Sequence, residues 1–287
     1  MRATDVPAVE RLTDRGFHEL DIRTTPPDRP APQRRSQTAA RRWEARMHHI
    51  LRHDPGGCWV ADGPEGLVGV AVALKRDLTW ILATFVVRPD LQGQGVGRQL
   101  LEAALSHGAG CLRGMISASP DPLAVRRYRL AGFSLHPTMD LTGTVDRSLL
   151  PVVERVREGT AGDIDLMNSV DRQVRDSAHG VDHDLLTTMY RLVVVDRSTG
   201  SGYAYVEDDG SPYLLAATNR RTATDLLWEA LAGSRPDAPC RVEHVTPANE
   251  WAIDVGLAAR LPLRTAGYLA LRHMKPPMPY LPSGHFL

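Results

Sequence analysis

Apolar residues at Val6, Val9, Leu12, Phe17 and Leu20 follow helical spacing, and Thr4-Asp5 offers a capping oxygen just ahead of them. The pattern predicts an amphipathic helix from Val6 to Leu20. Between Thr24 and Pro32, Pro26, Pro27, Pro30 and Pro32 remove backbone donors, which predicts a surface loop. Helical spacing resumes through Ala40, Trp43, Met47 and Ile50, so a second helix spans Ser36 to Leu51 and ends at Asp54-Pro55-Gly56-Gly57. Three apolar, β-branched runs follow: Cys58 to Ala61, Leu67 to Leu74 and Thr79 to Val87. Turn residues separate them, which predicts an antiparallel meander. The polar, glycine-rich stretch Pro89 to Gly97 then feeds a helix whose Val96, Leu100, Leu101, Ala104 and Leu105 share one face. A strand at Gly114 to Ser119, a helix at Asp121 to Leu130 and a closing pair of short strands over Phe133 to Thr144 complete this half.

The second half repeats the order. Gly202-Tyr203-Ala204-Tyr205-Val206 echoes Gly69-Val70-Ala71-Val72-Ala73, and Leu226 to Leu231 echoes Leu100 to Leu105 about 126 positions earlier. Asn249 stands about 128 positions beyond Asp121, a near-constant register. The pattern predicts two α/β domains, 1–147 and 151–287, the second ending in a tail rich in Pro276, Pro277, Pro279 and Pro282 that acts as an extended strap.

Composition narrows the function. The 287 residues hold 34 Lys plus Arg and 34 Asp plus Glu, so no net field draws a polyanion and a nucleic-acid partner is disfavoured. Lysine occurs only at Lys75 and Lys275, a bias typical of GC-rich bacterial coding sequence. Cys58, Cys111 and Cys240 are isolated, odd in number and outside any CxxC pairing, which argues against a disulfide framework or a structural zinc site and fits a reducing cytoplasm. No apolar run has signal-peptide or membrane-spanning character, so no membrane partner is expected.

The sharpest feature is Val86-Val87-Arg88-Pro89-Asp90-Leu91-Gln92-Gly93-Gln94-Gly95-Val96-Gly97-Arg98. It lacks the Gly-Lys-Ser/Thr of a Walker A loop, and Arg98 stands where a dinucleotide fingerprint needs its third glycine. Both nucleotide readings weaken. Gly93, Gly95 and Gly97 let the backbone curl so that N–H groups at the helix start converge on an anion such as a pyrophosphate. A plain flexible turn is the alternative.

The loop resembles the pyrophosphate loop of the GNAT acyltransferase superfamily, Arg/Gln-x-x-Gly-x-Gly/Ala, through Gln92-Gly93-Gln94-Gly95-Val96-Gly97. A second signature of that superfamily, Asn-x-x-Ala-x-x-x-Tyr-x-x-x-Gly-Phe, is matched by Asp121 through Ala124, Tyr128, Gly132 and Phe133, with Asp in place of Asn. The resemblance covers residues 2 to about 145, and the tandem layout is similar to actinobacterial two-domain members. It implies an α/β (α+β) fold of two GNAT-like domains, each a mixed, mostly antiparallel sheet flanked by helices. It further implies acetyl-CoA as co-substrate: backbone of Phe85, Val86 and Val87 on the pantetheine arm, and amides of Gly93, Gln94, Gly95, Val96, Gly97 and Arg98 on the pyrophosphate. Tyr128 becomes the general acid for the departing thiolate, and a polarising N–H near the splayed strand end steadies the oxyanion. Asp121 either touches coenzyme A or caps its helix, capping being favoured because a carboxylate beside phosphates is unfavourable. The acceptor is a primary amine on a small molecule or protein. A catalytically inactive acyl-CoA sensor or scaffold is the alternative.

The general base is not evident, because Trp80 to Val87 contains no carboxylate. His49, His53 and Asp54 are candidates for it, and Trp43, Trp59 and Trp80 line either the acceptor pocket or the core. In the second half the loop Ala216 to Thr224 has no glycine and Gly256 replaces the tyrosine, so that domain is expected to be degenerate. His179 and His183 have i, i+4 spacing but lack the HExxH glutamate and enclose Gly180, so no metal is expected.

Overall fold

The computed structural model describes residues 1–27, 30–236 and 238–287. Asp28 and Arg29, inside the predicted Thr24 to Pro32 loop, lie outside the described residues. The chain forms two compact units, residues 1–112 with 120–127, and residues 113–119 with 128–287.

The first unit opens with α1 (Val6–Thr24) and α2 (Gln37–His53), where Ser36 Oγ caps α2 by accepting from Ala39 N. Arg35 returns to α1 through Glu10 Oε1 at 2.8 Å. The meander is β1 (Cys58–Gly63), β2 (Gly66–Arg76) and β3 (Thr79–Val87), antiparallel as its alternation predicts. Nearly every β2 and β3 residue is buried, so both strands lie inside layers rather than at a solvated face. One covering layer is α3 (Val96–His107), whose Leu100, Leu101 and Ala104 are buried. Trp43 and Trp80 belong to this core, and Trp80 Nε1 donates to Ala104 O at 2.9 Å. Of the two readings of these tryptophans, core packing, the default one, holds for both.

In the second unit β4 (Arg113–Ala118) precedes β5 (Ser134–Gly143); α4 (Pro122–Leu130) lies between them in sequence. The remaining elements are β6 (Arg157–Glu158), α5 (Ile164–Arg175), α6 (Asp182–Met189), β7 (Arg191–Arg197), β8 (Gly200–Val206), β9 (Pro212–Ala217), α7 (Arg220–Ala232), β10 (Cys240–Val245), α8 (Glu250–Ala258), β11 (Leu263–Arg272) and β12 (Tyr280–Leu281). A five-stranded sheet runs in the order β12-β9-β8-β7-β6. The repeat is visible at matched glycines. A Cβ at Gly69 would stand 2.7 Å from Leu100 Cδ1, and one at Gly202 would stand 2.9 Å from Leu226 Cδ1, so in each half a glycine lets a helix leucine sit against a strand.

The closing pair of short strands predicted for Phe133 to Thr144 is instead one ten-residue strand, β5. Its partners come from the other half of the sequence: β11 pairs with both β4 and β5, and β10 pairs with the far edge of β5. Each half thus inserts a strand between two strands of the other, β11 between β4 and β5, and β5 between β11 and β10. Ladder bonding satisfies both edges of β5, which a local hairpin would not. The insertion needs Gly267, where a Cβ would lie 1.9 Å from Ala118 O. The compact units therefore fall elsewhere than the 147–151 boundary drawn from the repeat, because β4 and β5 bond to strands more than a hundred residues away.

Candidate functional site

The glycine loop joins β3 to α3. Pairing of Phe85, Val86 and Val87 with Ala71, Val70 and Gly69 fixes the end of β3, and Arg88 N continues the ladder to Val68 O. Just upstream the register slips: Thr84 faces Val72 and Leu82 faces Ala73, leaving Ala83 as an extra residue. Such a bulge bends the strand and re-aims the backbone groups that follow it.

After a single turn of 3-10 helix at Pro89–Leu91, Gly93 (φ 80°) and Gly95 (φ 91°) take left-handed conformations. Only glycine does so without strain. A Cβ built at either meets nothing within 4 Å, so the turn wraps open space. Gly95 is the N-cap of α3 and supplies no side-chain cap; its carbonyl takes Arg98 N at 3.0 Å, and the N–H groups ahead of Arg98 face the turn for an outside acceptor. The helix start is seated on the strand end, since a Cβ at Gly97 would lie 3.4 Å from Phe85 Cζ and 3.5 Å from Val87 Cγ2. Gln92 steadies the turn by donating to Val87 O at 3.2 Å, and Arg88 pairs with Asp90 at 2.8 Å. Gln94 and Arg98 are exposed beside it. The residues present fit a phosphate-bearing ligand: an uncapped helix start, an open curl and room for the group.

Asp121 caps α4, its Oδ1 accepting from Leu123 N at 2.8 Å, as the favoured reading has it. Tyr128 is buried on α4 within the second compact unit, and its carbonyl accepts from Phe133 N across Gly132, whose φ is 88°.

Of the candidate bases, Asp54 is committed elsewhere. Its carboxylate is buried and accepts from Lys75 N at 2.9 Å, Arg76 Nη1 at 2.7 Å and His107 Nε2 at 2.9 Å, tying the end of α2 to β2 and α3. Nothing in the local sequence linked these residues. Burial pushes the Cys58 thiol up to about 12 and the Cys240 thiol up to about 11, so neither is a ready nucleophile.

The matching place in the second half is closed by the chain itself. Asn219 caps α7, accepting from Thr222 N at 3.0 Å. β12 pairs with β9, the counterpart of β3, through Tyr280↔Ala216 and Leu281↔Leu215, so the proline-rich tail is a strap as predicted. Asn249, the counterpart of Asp121, donates to Pro277 O at 3.1 Å and accepts from Tyr280 N at 2.9 Å. Where the first half has Tyr128, a Cβ on Gly256 would already stand 2.7 Å from Leu141 Cδ2 of β5. The inserted strand leaves no room for a tyrosine.

His179 and His183, set aside as a metal pair in the sequence, are brought together by the fold with Asp171, which sequence spacing did not connect to them. Burial would raise the Asp171 carboxyl, but His179, His183 and Arg175 beside it hold it well below the usual range. Burial, with the Arg175 charge, holds His179 down to about 4.

A meander, an open left-handed glycine turn and a helix seated on the strand end make up this end of the first unit. Residues 11–133 match the acetyltransferase (GNAT) family. A curated relative, serotonin N-acetyltransferase 2 (chloroplastic) of Oryza sativa subsp. japonica, is 30% identical over 102 residues, 34% of this chain and 50% of that protein, so the match spans half the relative's length. A putative acetyltransferase from Pyrococcus horikoshii superposes with a TM-score of 0.73 at 15% identity, covering 100% of this chain and 93% of that one. A GCN5-related N-acetyltransferase from Kribbella flavida gives a TM-score of 0.58 at 16% identity, covering 95% and 70%. At these identities the likeness is one of fold. The family match thus covers less than half of the chain, and the solved structures extend a likeness of fold over nearly all of it. Among the described residues no helix is long and apolar enough to cross a membrane.

Proposed function

We propose that the protein is an acetyl-CoA-dependent N-acyltransferase that acetylates a primary amine, with its active centre in the first half. The observation that carries this reading is the open, left-handed turn at Gly93 and Gly95 above an uncapped helix start, within the segment matching the GNAT family. Amides from Gly93 to Arg98 hold the pyrophosphate, and the backbone of Phe85 to Val87 takes the pantetheine arm. Acetyl-CoA supplies an activated thioester. The amine nitrogen bonds to its carbonyl carbon, the carbon–sulfur bond breaks, and Tyr128 gives its hydroxyl proton to the sulfur. The amine sheds its own proton to water or a base. Asp121 serves by capping α4. The second half is degenerate as an acyl-CoA site, since its own tail lies on β9 and binds Asn249.

The absence of a carboxylate in the sequence of β3 favours a second reading, an acyl-CoA-binding sensor or scaffold without turnover. Incubating the full chain with acetyl-CoA and a panel of amines while following free thiol separates the two. Amine-dependent thiol release supports the enzyme, and tight acetyl-CoA binding with no release across the panel supports the sensor. Calorimetry with coenzyme A against ATP checks the ligand class, and preference for ATP removes both readings.

A further inference from the structure

The second unit contains a polar cluster that the acyltransferase reading does not use. Asp171 on α5, His183 on α6, His179 on the link between them and Tyr203 on β8 are all 0% exposed. Asp171 Oδ2 stands 2.7 Å from His179 Nδ1 and 3.2 Å from His183 Nε2. The donor atoms of the three lie within 4.8 Å of one another. The Tyr203 hydroxyl is 2.5 Å from Asp171 Oδ1 and 3.2 Å from His179 Nδ1. Ligand atoms about 2.0–2.2 Å from a zinc ion stand roughly 3.0–3.5 Å apart at tetrahedral or octahedral angles. The separations of Asp171 Oδ2 from the two imidazole nitrogens, and of the Tyr203 hydroxyl from His179 Nδ1, are therefore within a few tenths of an ångström of ligand spacing.

The surroundings fix the rings as outer partners of a bound ion do. His183 turns its other nitrogen, Nδ1, to the Tyr205 hydroxyl at 3.1 Å, and His179 turns Nε2 to the Tyr280 hydroxyl at 3.4 Å. The link carrying His179 is held from both sides. Arg175 donates to Ser177 O at 2.7 Å and Ala178 O at 3.4 Å, and Gly180 N donates to Asn168 Oδ1 at 2.9 Å. Arg175 also reaches Phe286 O at 3.3 Å, so the tail strap is tied to the same cluster.

We propose that Asp171, His179 and His183, with Tyr203 as fourth donor, form a structural site for a divalent cation of the zinc class. Two imidazoles, a carboxylate and a phenol oxygen suit zinc, cobalt or ferrous iron better than magnesium or calcium, which favour oxygen-only shells. Asp171 and Tyr203 are the groups able to carry the negative charge that a buried dication requires beside Arg175. With every donor enclosed, no position opens to substrate. The cation enters as the chain folds and joins α5, α6, β8 and the tail.

The test refolds the full chain from denaturant with cobalt(II), with zinc(II), or with a chelator alone. The proposal expects one cobalt retained per chain after gel filtration, a visible ligand-field band that zinc abolishes, and a thermal midpoint about 5–10 °C above the chelator-treated protein. The double variant His179→Gln/His183→Gln should lose the band and the retained metal. Equal retention by that variant would assign the ion to exposed histidines such as His48 and overturn the site. If the variant does not fold, the wild-type chain decides: coincident midpoints with and without metal, and no retained cobalt, overturn the proposal and leave a purely hydrogen-bonded cluster.

Discussion

The starts of α3 and α7 occupy matching places in the two halves and are finished in opposite ways. α3 begins at a left-handed Gly95 with no side-chain cap, below a turn that a Cβ would leave empty. α7 begins at Asn219, whose side chain answers Thr222 N and also donates to Thr199 O at 2.9 Å. Beside α7 the chain's own residues 277–281 take the edge of β9 and the amide of Asn249. One order of elements can thus present its helix amides to an external anion or satisfy itself from within. The choice rests on a few positions: glycine against asparagine at the cap, and a tail segment against open backbone.

The comparison can be broken most severely by cutting the halves apart. Residues 151–287 expressed alone lose both β4 and β5, so β11 is left without either partner, β10 without β5, and the Leu141 packing is gone. No cooperative thermal transition is expected for that fragment, whereas the whole chain melts as a folded protein. A cooperative melt in the fragment would show that the exchange is dispensable. Next in size is Tyr128→Phe, which keeps the buried ring. Turnover should fall by roughly 10²-fold or more while acetyl-CoA affinity holds, read by thiol release and calorimetry. Full turnover would return Tyr128 to a packing role.

Gly95→Val tests the open turn directly. A β-branched residue at a φ of 91° carries strain of about 1–3 kcal/mol, so affinity for coenzyme A should drop by roughly 10-fold or more with the rest of the fold intact. The mirror experiment is Gly256→Ala. There the new methyl meets Leu141 at 2.7 Å, and stability should fall by about 1–3 kcal/mol in denaturant unfolding, with kcat of the folded fraction unchanged. A loss of kcat in that variant would tie the second half to the chemistry.

The smallest effect is a pH dependence. Asp163 accepts from Arg157 Nη1 at 3.0 Å and from Thr160 N at 2.8 Å, and the Arg157 guanidinium with that backbone bond holds its carboxyl down to about 2 against the burial that would raise it. A carboxyl lowered in the folded state stabilises the fold above its unfolded value near 4, and the contribution fades as pH falls from about 4 to 2. Arg157 is half exposed, so the gain is below about 1 kcal/mol. Asp163→Asn should narrow the stability difference between pH 6 and pH 3 by no more than that.

The sequence alone determined what depends on neighbours along the chain. The caps, the meander, the glycine turn and the helix after it follow from spacing and turn chemistry within a dozen residues, and they appear where periodicity puts them. The repeat was legible for the same reason, since Gly69 with Leu100 and Gly202 with Leu226 preserve one contact in two places. Only the tertiary structure decided which strands meet. Phe133 to Thr144 reads as a local hairpin because hydropathy records that a strand needs burial, not who supplies it. The partners β10 and β11 lie about a hundred residues or more away. The Asp54 clamp and the cluster around Asp171 were hidden in the same way. A buried carboxylate is tolerable only when donors surround it, and here those donors come from separate segments that no linear spacing joins.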